Sequence, residues 1–163
     1  MEHATRFDRI ALVVDDDAFV LSAIAELLAE EGFDVHTASN GFSALRQAAE
    51  YRPAIIVLDL LLPERSGGDV LAELRAEPAT RDTAVVLVTG NPQLLTEAQT
   101  AQADGVVVKP FDVDELLATI HRAVQRASSR RAEVVPVAVV THQQPAAARQ
   151  RLPAGARRSR GRR

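Results

Sequence analysis

The chain has 163 residues, 47% of them hydrophobic and 25% charged, the profile of a soluble globular protein with room for one ordinary domain and an appended segment. Its longest apolar runs, such as Ile10 to Val14 and Ala54 to Leu58, hold about five residues against the roughly 20 of a membrane helix, so no membrane insertion is expected. The start lacks the basic and apolar stretches of a secretory signal, and the absence of cysteine removes disulfides, thiol catalysis and thiolate metal sites. The net charge of −3 hides a division after Gln125: residues 1–125 carry 21 acidic and 9 basic groups, whereas residues 126–163 carry 10 arginines against Glu133 alone.

Ile10 to Val14 is a continuous apolar run closed by Asp15, Asp16 and Asp17, which reads as a buried strand ending in carboxylates. Val20, Ile24, Leu27 and Leu28 then recur at helical spacing, with Glu26, Glu30 and Glu31 on the other side and Gly32 as a stop. Asp34 to Ala38 reads as a short strand; Ser39 or Asn40 caps a helix carrying Leu45, Ala48 and Ala49 that ends before Pro53. Ala54 to Leu58 is a second buried run ending in a carboxylate, Asp59, followed by a loop through Pro63 and Gly67 and a helix with Val70, Leu71 and Leu74. Thr83 to Val88 is a strand finishing at Thr89. After it the pattern predicts a helix capped by Asn91 and begun by Pro92, with Leu94, Leu95 and Ala98 on one face. Gly105 to Val108 is the last strand and ends at Lys109, the only lysine of the chain. Asp112 with Glu115 predicts a capping box for a final helix striped by Val113, Leu116, Leu117, Ile120 and Val124.

Five apolar strands alternating with five helices give a doubly wound α/β fold: a five-stranded parallel sheet with helices on both faces. In such sheets the ligand site lies beyond the carboxyl ends of the strands, which here present Asp15, Asp16, Asp59, Thr89 and Lys109. Clustered carboxylates repel and call for a counter-ion, and an all-oxygen set selects a hard cation such as Mg2+. A threonine hydroxyl and a lysine ammonium beside them suit the remaining oxygens of a phosphoryl group. A carboxylate is a competent phosphoryl acceptor, and Asp59 is the most central. Asp17 reads as a helix cap outside the site, and His3, His36, His121 and His142 show no metal-like spacing.

The segments VVDDDAFVL, VLDLLLPERSGG, VLVTG and VVVKPF resemble, in order and spacing, the receiver domains of two-component response regulators. The resemblance covers about residues 9–126. It implies the flavodoxin-like strand order 2-1-3-4-5, Asp59 as phosphoacceptor, and Thr89 and Lys109 completing the site. It also implies Asp16 as a direct magnesium ligand, Asp15 as a water-mediated one, and the backbone carbonyl of Leu61 as a third protein ligand. Pro110 matches the family's usual cis-peptide position. Two residues depart from the pattern: Val106 stands where the family usually has an aromatic switch residue, and Leu61 cannot orient a hydrolytic water by hydrogen bonding. The function implied is a cytoplasmic phosphoacceptor in two-component signalling or a phosphorelay. It would be loaded by a histidine kinase or histidine phosphotransfer protein and read by a downstream protein, with a homodimer left open. Its only catalysis would be self-directed phosphoryl transfer and autodephosphorylation.

Residues 1–8 read as an N-terminal extension and 127–163 as a basic, disordered tail, with Val134 to Val140 broken by Pro136. The arginines leave nucleic-acid binding open, although no aromatic is present there to stack bases. Two other functions compete. One is a pseudo-receiver whose tail binds nucleic acid or a partner. The other is a phosphatase with an aspartyl nucleophile, which would keep a carboxylate at the position held by Leu61.

Overall fold

A computed structural model of the protein describes residues 9–133. The strands are β1 (Ile10–Val14), β2 (Asp34–Ala38), β3 (Ile55–Asp59), β4 (Ala84–Thr89) and β5 (Gly105–Val108). Between and after them come α1 (Ala18–Glu30), α2 (Gly41–Tyr51), α3 (Gly67–Ala76), α4 (Glu97–Gln102) and α5 (Val113–Glu133). All pairings are parallel and the sheet order is β2-β1-β3-β4-β5, the doubly wound arrangement expected. Residues 1–8 and 134–163, including the apolar stretch from Val134, lie outside the described residues.

Successive side chains of a strand point to opposite faces, and each face of this sheet therefore builds its own core. Ala11, Val13, Ile55, Val57, Val86 and Val107 meet Ile24 and Leu28 of α1 and Leu116 and Ile120 of α5. Leu12, Val14, Ile56, Leu58, Val85 and Leu87 meet Ala44 and Ala48 of α2 and Leu71 and Leu74 of α3. With aromatics scarce, alanines at the helix contacts let aliphatic side chains fill the layers at close approach. Because all five strands run parallel, their carboxyl ends share one rim, and the polar residues that close them gather there.

The helix starts follow their caps. The Asp17 carboxylate accepts from the amides of Phe19 and Val20 at 2.9 and 3.3 Å, and Asn40 accepts from the Ser43 amide at 2.8 Å. Asp112 accepts from the Asp114 amide at 2.8 Å, so it caps α5, but the reciprocal bond expected from Glu115 is not among the hydrogen bonds of the described residues.

Two expectations are corrected. The helix expected from Pro92 is a 3₁₀ turn over Pro92–Leu94, Asn91 makes no capping bond, and α4 starts at Glu97 after the cap Thr96. Thr96 and Gln99 form a complete capping box, whereas the residue three beyond Asn91 is Leu94, which cannot reciprocate. Leu95 is thereby freed to pack against the core while Leu94 stays exposed. The second correction concerns length: α5 runs past residue 126 to Glu133, where Ala127 is buried in the core and Arg130 is held by Asp104. The Asp104 carboxylate also accepts from Arg75 Nη2 at 3.1 Å and from the Val85 amide at 2.9 Å. Arg75 in turn donates to the carbonyls of Gln102, Arg81 and Thr83 at 2.9, 2.9 and 2.7 Å. One carboxylate thus ties α3, β4 and α5 together at the amino end of the sheet.

Candidate functional site

At the opposite end, β1, β3 and β5 stop at Asp15, Asp59 and Lys109. Lys109 Nζ lies 2.7 Å from Asp15 Oδ2 and 3.5 Å from Asp59 Oδ2. The other Asp15 oxygen accepts from the Asp17 amide at 2.9 Å, and Asp59 Oδ1 accepts from the Leu61 amide at 3.3 Å. Asp16 is exposed, and carboxylate oxygens of Asp15, Asp16 and Asp59 all lie within 4.8 Å of one another. The peptide bond between Lys109 and Pro110 is cis. In register Asp59 faces Val88, which sets Thr89 one residue further along the neighbouring strand. The Thr89 hydroxyl is buried and accepts from the Asn91 amide at 3.0 Å, so it is engaged with its own loop and not with the carboxylates.

Charge dominates this rim. Burial, then the neighbouring charge of Asp15, pushes the Asp59 carboxyl above its ordinary value, against the opposing pull of Lys109 and the Leu61 amide. Burial alone would lower the Lys109 ammonium, but its bond to Asp15 and the charges of Asp59 and Asp15 outweigh that and hold it above its ordinary value. Lysine is therefore a firm cation between two carboxylates, one of which resists ionisation.

Residues 11–121 match the family model described as the response regulator receiver domain. The chain belongs to that family. The transcriptional regulatory protein KdpE of Mycobacterium tuberculosis is 42% identical over 117 residues, covering 72% of this chain and 51% of its own length. The cell cycle transcriptional regulator CtrA of Caulobacter vibrioides is 34% identical over 126 residues, covering 76% and 54%. The chain thus spans about half the length of these curated relatives. Among solved structures, the response regulator protein TrrA of Thermotoga maritima, in complex with Mg(2+)-BeF, superposes with a TM-score of 0.65 at 31% identity, covering 71% of this chain and 98% of that one. The receiver domain of a sensor histidine kinase from Pseudomonas aeruginosa, with a magnesium ion coordinated in its active site cleft, gives 0.65 at 26%, covering 72% and 98%.

This receiver brings together four of the residues expected from sequence, Asp15, Asp16, Asp59 and Lys109, and sets Thr89 at the end of the neighbouring strand with its hydroxyl accepting from the Asn91 amide. Leu61 donates its amide to Asp59 and is itself 49% exposed. The donor set is three carboxylates with no nitrogen or sulfur ligand, the chemistry of a hard divalent cation, and it fits magnesium. Val106 is partly buried and packs against the same side of the core as α2 and α3, so an aliphatic residue fills this place as part of the packing. Sequence reading missed the capping box of α4, although Thr96 and Gln99 carry its spacing, and missed Asp104, whose partners are 26 and 29 residues away.

Proposed function

We propose that Asp59 accepts a phosphoryl group from a phosphohistidine of a histidine kinase or histidine phosphotransfer protein, and that residues 9–126 carry this switch. The observation that supports it best is Lys109 Nζ lying between Asp15 and Asp59, 2.7 and 3.5 Å away. A carboxylate oxygen of Asp59 attacks phosphorus, the phosphorus–nitrogen bond of the donor breaks, and the departing imidazole keeps the electron pair. Asp59 must be ionised to attack, and Lys109 favours that form against burial and Asp15. The ammonium then faces the oxygens of the new acyl phosphate, and Thr89 joins them once its hydroxyl leaves the Asn91 amide. Magnesium, when bound, supplies positive charge that offsets the carboxylates and the phosphoryl oxygens.

Asp15, Asp16, Asp59 and the Leu61 carbonyl would hold that ion. Both oxygens of Asp15 are already engaged, one by Lys109 and one by the Asp17 amide, whereas Asp16 is exposed to solvent. Asp16 would therefore be the direct ligand and Asp15 an outer partner. In calorimetric titrations with magnesium chloride, Asp15→Asn loses about tenfold in affinity, as outer partners do, and Asp16→Asn loses more. Equal losses, or a larger one for Asp15, contradict this assignment.

Leu61 presents hydrocarbon two residues beyond the acceptor, so an attacking water finds no side-chain partner there. Leu61→Asn supplies one. A hydrogen bond of about 1 kcal/mol corresponds to roughly fivefold faster hydrolysis, and phosphoryl loss followed over time reads this directly. Equal lifetimes in parent and variant place control of the water elsewhere. The test of the reading as a whole is transfer from a phosphorylated histidine donor to the parent and not to Asp59→Asn.

A further inference from the structure

α4 has six residues, none of them buried. A helix that short does not sustain itself by propagation, so its cap decides whether it is formed. Thr96 Oγ1 accepts from the Gln99 amide at 3.1 Å, Gln99 Oε1 accepts from the Thr96 amide at 3.0 Å, and Thr100 Oγ1 donates to the Thr96 carbonyl at 3.1 Å. The Gln99 side chain also lies on the first turn of α3. A methyl group added at Gly68 would overlap its amide nitrogen and stand 3.0 Å from its Cδ. The preceding residue is packed just as closely on the acceptor strand. A methyl group at Gly67 would overlap the Asp59 carbonyl oxygen and stand 2.9 Å from Leu60 Cα, and the Gly67 amide donates to the Leu60 carbonyl at 2.8 Å.

We infer that Gly67 and Gly68 form a contact relay by which the state of Asp59 opens or closes the capping box of α4. The inference rests on Asp59 being the acceptor. Movement of the Asp59–Leu60 backbone has no soft side chain to absorb it at Gly67, so it shifts the start of α3. Gly68 shares that turn, and Gln99 rests on it, so the shift reaches the one side chain that satisfies the Thr96 amide. An unburied helix held by its cap has two accessible arrangements, formed and frayed, which is what a coupled element requires. The glycine at position 68 is what lets Gln99 reach both the cap and α3.

The experiment uses isotope-labelled protein of all 163 residues, a small acyl phosphate donor and magnesium chloride, with amide shifts recorded before and after phosphorylation. In the parent, amides of residues 61–67 and of residues 96–102 shift together. In Gly68→Ala the first group still responds and the second loses its response. Gln99→Ala removes the same contact without added bulk and gives the same result, whether or not Gly68→Ala folds. Thr96→Ala weakens the cap while leaving Gln99 on Gly68, and there residues 96–102 still respond, which separates loss of coupling from loss of helix. A response of residues 96–102 that survives in Gly68→Ala or Gln99→Ala overturns the relay, as does a parent in which only residues 61–67 respond. No response at residues 61–67 in the parent overturns the acceptor reading itself, and the relay with it.

Discussion

Asp59→Asn loses the magnesium-dependent phosphoryl group altogether and, in metal-free buffer at neutral pH, melts at a higher temperature than the parent. The two effects share one cause. Asp59 is held at a rim with Asp15 and Asp16, and its carboxyl is raised by burial and by Asp15. The folded state therefore binds this proton more readily than the unfolded chain does. As pH rises through the window between the ordinary carboxylate value and the raised folded one, ionising Asp59 destabilises the fold; below that window the penalty is absent, and above it the penalty is complete. Asparagine keeps the shape and an acceptor for the Leu61 amide without the charge, and Lys109 retains Asp15 as its partner at 2.7 Å. The stability gained by the variant should thus shrink as pH falls through the carboxylate range. Mass spectrometry after treatment with a phosphodonor and thermal melts across pH test both halves. A phosphoryl adduct that persists in Asp59→Asn refutes the acceptor assignment, and a variant less stable than the parent at neutral pH refutes the electrostatic account.

The largest loss of stability from one side chain is expected at Asp104. Its carboxylate is 5% exposed and serves two arginines and the Val85 amide. Asp104→Ala leaves Arg75 buried without its counter-charge and the Val85 amide without an acceptor. Removing one partner of a buried pair typically costs about 3–5 kcal/mol, which for a domain of this size lowers Tm by roughly 10 °C or more. Asp104→Asn retains an acceptor for Val85 and costs less. Arg130→Ala, at a half-exposed position near the end of α5, costs least, about 1 kcal/mol or below. Urea and thermal melts rank the three. Phosphoryl acceptance at Asp59, at the other end of the sheet, should survive wherever the variant is folded. An order in which Arg130→Ala is the most damaging would show that the helix end, and not the carboxylate, holds this corner.

The contrast between Asp59 and Asp104 explains what the sequence discloses. Asp59 is legible because its meaning is local: an apolar strand gives way to a polar side chain at its carboxyl end. Asp15, Thr89 and Lys109 obey the same rule, and parallel strands covered on both faces carry all of these exits to one edge. Asp104 also adjoins a strand, but at its start, and its role depends on Arg75 and Arg130, whose arrival is fixed only when α3 and α5 have packed. The length of α5 is hidden for the same reason, since the stretch beyond residue 126 is held by the burial of Ala127 and the bond from Arg130 to Asp104, both of which depend on tertiary packing. The start of α4 was legible and was obscured by a competing signal. Asn-Pro reads as a helix opening, and only the choice between Leu94 and Gln99 as reciprocal partner reveals that Thr96 provides the better cap. The Thr89 hydroxyl is the subtler case, because strand position fixes where it stands and the Asn91 amide fixes where it turns.

The run of α5 to Glu133 also decides where anything joined behind it begins. The helix has 21 residues, about 30 Å at the usual rise, and it starts beside the carboxylate rim and finishes near the Asp104 corner. A fluorophore or fusion partner attached after Glu133 would therefore start at the rear of the molecule. It would leave the front open to a phosphohistidine donor, so distance measurements between such a label and a docked donor can be made without the label obstructing the encounter.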